Sequence, residues 1–209
     1  MNQKPHNGKA ELRRTYRELR ASMGEEARVA ADAAIARRVM DLPAFQDADI
    51  VFTYLSFGEE VDTRALIEEA WRLGKTVALP RVTGMREMRW FAVEGFDGLE
   101  TSRYGIDEPP MDETREVLPR GRRDGDDDGD GGGAGSGASS DGRPRAIAIV
   151  PALTFDPQGY RIGYGGGFYD AFLGDFVGTS IGLCRARQMS REPLPHDAHD
   201  VPVDLVVCG

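Results

Sequence analysis

Six short apolar runs alternate with helix-patterned segments, and that alternation restricts the possible folds more than any other feature of this chain. DIVFTYLS (49–56), TVALP (76–80), MRWFAV (88–93), AIAIVPAL (146–153), SIGLC (180–184) and DLVVC (204–208) are rich in β-branched and aromatic residues, as strands require. Between them lie segments with a helical repeat. Residues 9–22 carry Leu12, Tyr16 and Leu19 at helical spacing with basic residues between them. Ser22 and Glu25 have capping-box spacing for a second helix through EEARVAADAAIARRVM, and Asp62 can cap a third, TRALIEEAWRL, that stops at Gly74. Continuous apolar strands are what a sheet covered on both faces needs. The expectation is a single-domain α/β fold over residues 1–209, a mostly parallel sheet with helices on both faces in the Rossmann-like, three-layer manner. Ligands in such sheets bind beyond the carboxyl ends of the strands.

One segment breaks the pattern. Residues 119–145, PRGRRDGDDDGDGGGAGSGASSDGRPR, contain almost nothing apolar, so burial cannot offset the entropy of ordering them. They are expected to form a flexible surface loop, a tolerated insertion or a hinge.

Charge narrows the partners. The 209 residues carry a net charge of −9, which repels nucleic acid and anionic membranes, so neither is expected as a partner. An anionic substrate would need a local basic pocket working against that field. No apolar run approaches the roughly 20 residues that span a bilayer, and MNQKPHNGKAELRR lacks the apolar core of a signal peptide. A cytoplasmic protein, monomeric, is expected. Cys184 and Cys208 form no metal-type cluster and read as buried free thiols.

The richest stretch is IVPALTFDPQGYRIGYGGGFYDAFL, residues 149–173. Gly163, Gly165, Gly166 and Gly167 follow Arg161 and precede Phe168, Tyr169 and Asp170. Glycines after a strand let backbone N–H groups approach a phosphate without a Cβ in the way, and a helix starting near Gly166 would add its positive end. The stretch is not a P-loop, since no Gly-Lys-Ser/Thr follows, nor a dinucleotide fingerprint, since Phe168 stands where the third glycine belongs. On spacing alone it is either a phosphate cradle or a structural turn. Asp170 is by the same measure either a Mg²⁺ ligand or a first-turn acid complementing the helix dipole.

VPALTFDPQGYRIGYGGGFYD closely resembles the signature of the 5-formyltetrahydrofolate cyclo-ligase (methenyltetrahydrofolate synthetase) family. KAELR near the start, YLSFGEEVDT and HDVPVDLVV resemble three further family segments, so the likeness spans nearly the whole chain outside 119–145. The resemblance implies ATP-driven ring closure of 5-formyltetrahydrofolate to 5,10-methenyltetrahydrofolate with release of ADP and phosphate, ATP as co-substrate and Mg²⁺ as cofactor. Carried over by position, it implies that ATP is bound by Lys9, Arg13, Arg161, Gly163, Tyr164, Gly165, Gly166, Gly167, Phe168 and Tyr169. It implies a folate pocket lined by Leu55, Glu60, Tyr164 and Phe168, with Arg161 and Tyr169 at the reacting centre and Asp170 and Asp200 holding Mg²⁺. Lys9 and Arg13 sit four apart, on one helical face, which suits two cations converging on one anion. Phe168 stands where many members have Tyr, and Ala171 where many have Arg.

Taken one at a time, these residues have plainer roles: a solvated helix face for Lys9 and Arg13, a surface acid for Glu60, a cap for Asp200, core for Tyr169, loop residues for His196 and His199. Two other functions remain at this level: a phosphosugar isomerase, which would need a carboxylate base and no ATP, and a non-catalytic nucleotide or folate binder.

Overall fold

The computed structural model describes residues 6–102, 105–119 and 144–209. In chain order the elements are helices α1 (His6–Ala21), α2 (Glu25–Met40) and α3 (Pro43–Asp47), strand β1 (Ile50–Phe52), α4 (Arg64–Arg72), and strands β2 (Thr76–Gly84), β3 (Glu87–Val93), β4 (Glu100–Thr101) and β5 (Asp107–Glu108). After the glycine-acid insertion come β6 (Ala146–Val150), β7 (Thr154–Phe155), β8 (Arg161–Ile162), α5 (Phe168–Asp175), β9 (Thr179–Cys184) and β10 (Leu205–Cys208). Of the expected flexible loop, residues 120–143 lie outside the described residues.

The main sheet has the order β10-β9-β6-β1-β2-β3. Every pairing is parallel except β2 with the edge strand β3. Strand side chains alternate between two cores, as a two-residue period demands. Val51, Val77, Leu79, Ile147, Ile149, Ile181 and Leu183 meet α2, α3 and α4 on one face. Phe52, Ala78, Ala148, Val150 and Trp90 meet Phe172 and Leu173 of α5 on the other. The fold is therefore mixed α/β, with helices on both faces of a mostly parallel sheet.

Three local expectations are corrected. The capping box does not form: Ser22 Oγ donates to Leu19 O at 2.7 Å, finishing α1, and Gly24 is the N-cap of α2 with no side-chain bond. Asp62 does accept the Arg64 N–H at 3.0 Å, though Thr63 stands between it and α4. The first strand is only three residues long. The chain turns away after Thr53 because side chains close a loop there: Thr63 Oγ1 donates to Tyr54 O at 2.7 Å and Tyr54 Oη to Val61 O at 2.9 Å. That early exit carries Leu55–Glu60 off the end of the sheet.

Cys184 and Cys208, far apart in sequence, are register partners on neighbouring strands. Both are free thiols, Cys184 buried and Cys208 half-buried.

Candidate active site

β1 runs to β2 on one side, while β6 lies against its other side. That reversal of strand order opens a crevice beyond the carboxyl ends of β1 and β6. The loop bearing Glu60 leaves β1 there, and the segment from Ala152 to Gly167 leaves β6 there. Within that segment β7 and β8 pair antiparallel, with Phe155 opposite Arg161. Their turn is built by Asp156, whose carboxylate accepts the N–H groups of Gln158 and Tyr160 at 3.0 and 2.9 Å. A rigid hairpin thus presents Arg161.

The glycine stretch follows. Gly165 (φ 99) and Gly167 (φ 71) adopt left-handed backbone, which costs glycine nothing. Gly167 is the N-cap of α5, which begins two residues later than expected from sequence. Gly166 leaves room for the Phe168 ring, which would stand 2.6 Å from a Cβ placed there.

Helix α1 lies against this stretch through its cationic side. Among residues 8–21 of this helix, Lys9 and Arg20 are the most buried, at 8% and 4% exposure. Lys9 Nζ reaches Asp197 at 2.7 Å and Asp200 at 2.6 Å. Arg13 Nε donates to Gly163 O at 3.0 Å, and Arg20 Nη1 to Tyr164 Oη at 2.9 Å. Arg17 stands 5.5 Å from the centre of the Tyr164 ring. The solvated-face reading of Lys9 and Arg13 therefore fails.

Arg161, its side chain 6% exposed, donates to Asp170 Oδ1 at 2.6 Å and to Val201 O at 2.5 Å. Burial pushes its pKa down, opposed by Asp170 and Asp200. Asp170 also accepts the Val201 N–H at 3.2 Å. Asp200 Oδ2 takes Lys9 and the Asp197 N–H, the latter at 2.7 Å, and burial, acting upward, is outweighed by these bonds and by Arg161, so its carboxyl lies below the ordinary range. Each carboxylate spends one oxygen on a cation and keeps the other free of hydrogen bonds among the described residues. That suits Mg²⁺ held by one or two carboxylates together with phosphate oxygens and water. It does not suit an all-protein cage, and no group of three or more acidic, His or Cys residues among the described residues could hold a metal. His196 stacks flat on Tyr160, 3.8 Å between ring centres.

Glu60 belongs to the same neighbourhood. Burial raises its pKa, while the Phe57 N–H at 3.1 Å and the charge of Arg20 oppose the rise. Its charge in turn helps burial raise the phenol pKa values of Tyr54, Tyr164 and Tyr169. Tyr169 packs edge-on against Trp90 and Phe172 and leaves its hydroxyl without a hydrogen bond among the described residues. Leu55 is 8% exposed and belongs mainly to the core beneath α4.

Sequence reading missed Arg20. The signal was present: 9, 13, 16 and 20 are one helical stripe, and extending the Lys9–Arg13 face by two turns reaches it. The buried Arg20 Nε has no hydrogen-bond partner among the described residues.

A cleft of about 370 Å³ is lined by Leu55 and Glu60 but by neither α1 nor the glycine stretch. It is a poor anion site. Its arginines are already neutralised: Arg28 by Glu59 at 3.1 Å, Arg64 by Asp62 at 3.7 Å, Arg185 by Asp32 at 2.7 Å.

Comparison with known proteins identifies the family. A sequence model of the 5-formyltetrahydrofolate cyclo-ligase family matches residues 5–121 and 141–209. The 5-formyltetrahydrofolate cyclo-ligase of Escherichia coli (strain K12) is 31% identical over 195 residues, 91% of this chain and 90% of that protein. That of Haemophilus influenzae is 26% identical over 204 residues, 95% and 96% of the two chains. The NMR structure of Aquifex aeolicus 5,10-methenyltetrahydrofolate synthetase superimposes with a TM-score of 0.74 at 29% identity, covering 96% of this chain and 89% of that one. A Mycoplasma pneumoniae 5,10-methenyltetrahydrofolate synthetase shares the fold, with a TM-score of 0.66 at 17% identity and coverage of 95% and 97%. With a match that runs through both halves of the crevice, the chain belongs to the 5-formyltetrahydrofolate cyclo-ligase family.

Proposed function

We propose that this chain converts 5-formyltetrahydrofolate to 5,10-methenyltetrahydrofolate in an ATP- and Mg²⁺-dependent reaction, with the nucleotide phosphates on the glycine stretch. The observation that supports this most is the docking of the cationic side of α1 onto residues 163–164, beside the Arg161–Asp170 pair.

The chemical obstacle is an amide: the formyl group on N5 is resonance-stabilised and its oxygen leaves poorly. The formyl oxygen takes the γ-phosphoryl group, and the bond to the β-phosphate oxygen breaks to give ADP. The N10 lone pair then attacks the formyl carbon, the carbon–oxygen bond breaks with release of phosphate, and N10 loses its proton. The attacking nitrogen is tethered to its target, so holding the substrate folded supplies much of the rate. No Ser, Cys or His nucleophile is needed.

The chain's part is charge and orientation. Lys9, Arg13 and Arg161 face the phosphate oxygens, with N–H groups of residues 163–169 between them. Asp197, Asp200 and Asp170 hold Lys9 and Arg161 extended until a phosphate competes for them. Asp170 and Asp200 would hold Mg²⁺ through their spare oxygens, and the ion would neutralise charge on the transferring phosphate. Glu60 would meet the polar edge of the folate, and Tyr169 would stand near the reacting formyl group.

Near-ultraviolet absorbance tests this. Purified protein with 5-formyltetrahydrofolate, MgCl₂ and ATP should develop the methenyl chromophore and release phosphate in equal amount. Omitting ATP should abolish both signals. Turnover without ATP would overturn the mechanism, and ATP binding without turnover would leave a non-catalytic binder.

A further inference from the structure

The hairpin joining β2 to β3 carries Arg86 at its tip. With φ 61, it is the one non-glycine residue in left-handed backbone among the described residues. An L side chain adopts that conformation only at a cost, and such residues gather at functional sites. The Arg86 side chain crosses to the glycine stretch. A Cβ on Gly167 would stand 3.4 Å from Arg86 Nε and 3.5 Å from its Cδ. Two residues earlier, a Cβ on Gly165 would stand 3.3 Å from the guanidinium carbon of Arg13. Two guanidinium groups, from elements remote in sequence, thus lie against one short length of side-chain-free backbone.

They share a second property. Lys9 and Arg161 are each tied to carboxylates. Neither Arg13 nor Arg86 has an ion-pair partner among the described residues, and Arg86 makes no hydrogen bond there either. In a chain with a net charge of −9, an unneutralised arginine kept against glycine backbone is an anion ligand without its anion.

We propose that Arg86 is a phosphate-binding residue of the nucleotide site, placed by the β2–β3 hairpin opposite Arg13 so that the two guanidinium groups flank the polyphosphate. The inference rests on the reading that the glycine stretch holds ATP. It makes the hairpin part of the nucleotide site and gives the strained backbone a reason: the left-handed turn aims the side chain inward.

Calorimetry on the full chain with Mg²⁺ and a non-hydrolysable ATP analogue tests it. Arg86→Gly removes the guanidinium and fits φ 61 without strain, so folding is not at risk. It should weaken binding of the analogue about tenfold, as loss of an exposed charge-assisted contact does, and leave adenosine binding unchanged. Arg86→Lys should recover part of the loss. In steady state the effect should fall on KM for ATP more than on kcat, with KM for 5-formyltetrahydrofolate unmoved. If Arg13→Ala weakens the analogue and Arg86→Gly does not, the inference is overturned while the nucleotide reading stands. If neither substitution matters, the nucleotide reading fails and takes the inference with it.

Discussion

Two arginines, Arg185 and Arg161, are built from the same parts and put to different uses. Both are withdrawn from solvent, with side chains 2% and 6% exposed, and both pair with an aspartate. Arg185 spends its guanidinium entirely on the protein: Nε and Nη2 grip Asp32 at 2.7 Å each, and Nη1 and Nη2 donate to the carbonyls of Glu59 and Glu60 at 2.9 Å. Arg161 makes only two bonds, to Asp170 and Val201 O, and its Nε has no partner among the described residues. A guanidinium has five N–H donors. Arg185 is close to saturated and fastens the loop that carries Glu60. Arg161 keeps donors in reserve beside the glycine stretch. Unused hydrogen-bonding capacity, rather than burial or pairing, separates the arginine proposed for the site from the arginine of the frame.

Removing each arginine tests that distinction, and Arg185 should show the larger effect. Arg185→Ala leaves Asp32 buried without its cation and frees two loop carbonyls. We expect a loss of about 3–5 kcal/mol, seen as a fall in Tm of roughly 6–20 °C. Arg161→Ala should cut kcat/KM by about 10²–10³ while Tm moves by less than about 3 °C, because Asp170 is 28% exposed and regains water. Thermal melts and initial rates on both variants decide the matter. If Arg161→Ala melts as early as Arg185→Ala, the reserve-donor argument is wrong and Arg161 is structural.

The sheet was legible in the sequence because buried parallel strands read as uninterrupted apolar runs, and the glycine stretch as a tight turn because its backbone disfavours side chains at Gly165, Gly166 and Gly167. Arg20 and the Asp32–Arg185 clamp were not. Asp32 and Arg185 are 153 residues apart, and neither carries a local pattern. Only the fold brings them together. The inner face of α1 misled for a physical reason. Leu12, Tyr16 and Leu19 announce an ordinary amphipathic helix, yet the deepest side chains are Lys9 and Arg20, because the surface they meet offers carboxylates, a carbonyl and a phenol instead of a hydrophobic core. A hydrophobic pattern shows which side of a helix turns inward, but not what waits there.

Glu60 joins the two halves of the comparison, since Arg185 holds its carbonyl while its carboxyl faces the Arg20–Tyr169 side. Glu60→Gln should therefore keep the clamp and delete only the charge, and its effect on stability is the smallest expected here. The sign follows from its raised pKa. A carboxyl with an ordinary value near 4.5, held higher by burial in the folded chain, binds its proton more tightly folded than unfolded. Stability conferred by that proton is present below about 4.5 and is lost as pH climbs through the raised folded value, beyond which both states are ionised and the cost is constant. Gln at this position has no such loss. Melting both proteins across pH 4 to 8 should give curves that coincide in acid and separate toward neutrality, with Glu60→Gln the more stable and also the slower enzyme. Curves that separate in the opposite sense would mean that Glu60 is stabilised by a cation in the folded chain, which would make it part of the frame like Arg185 and leave the folate edge without its acid.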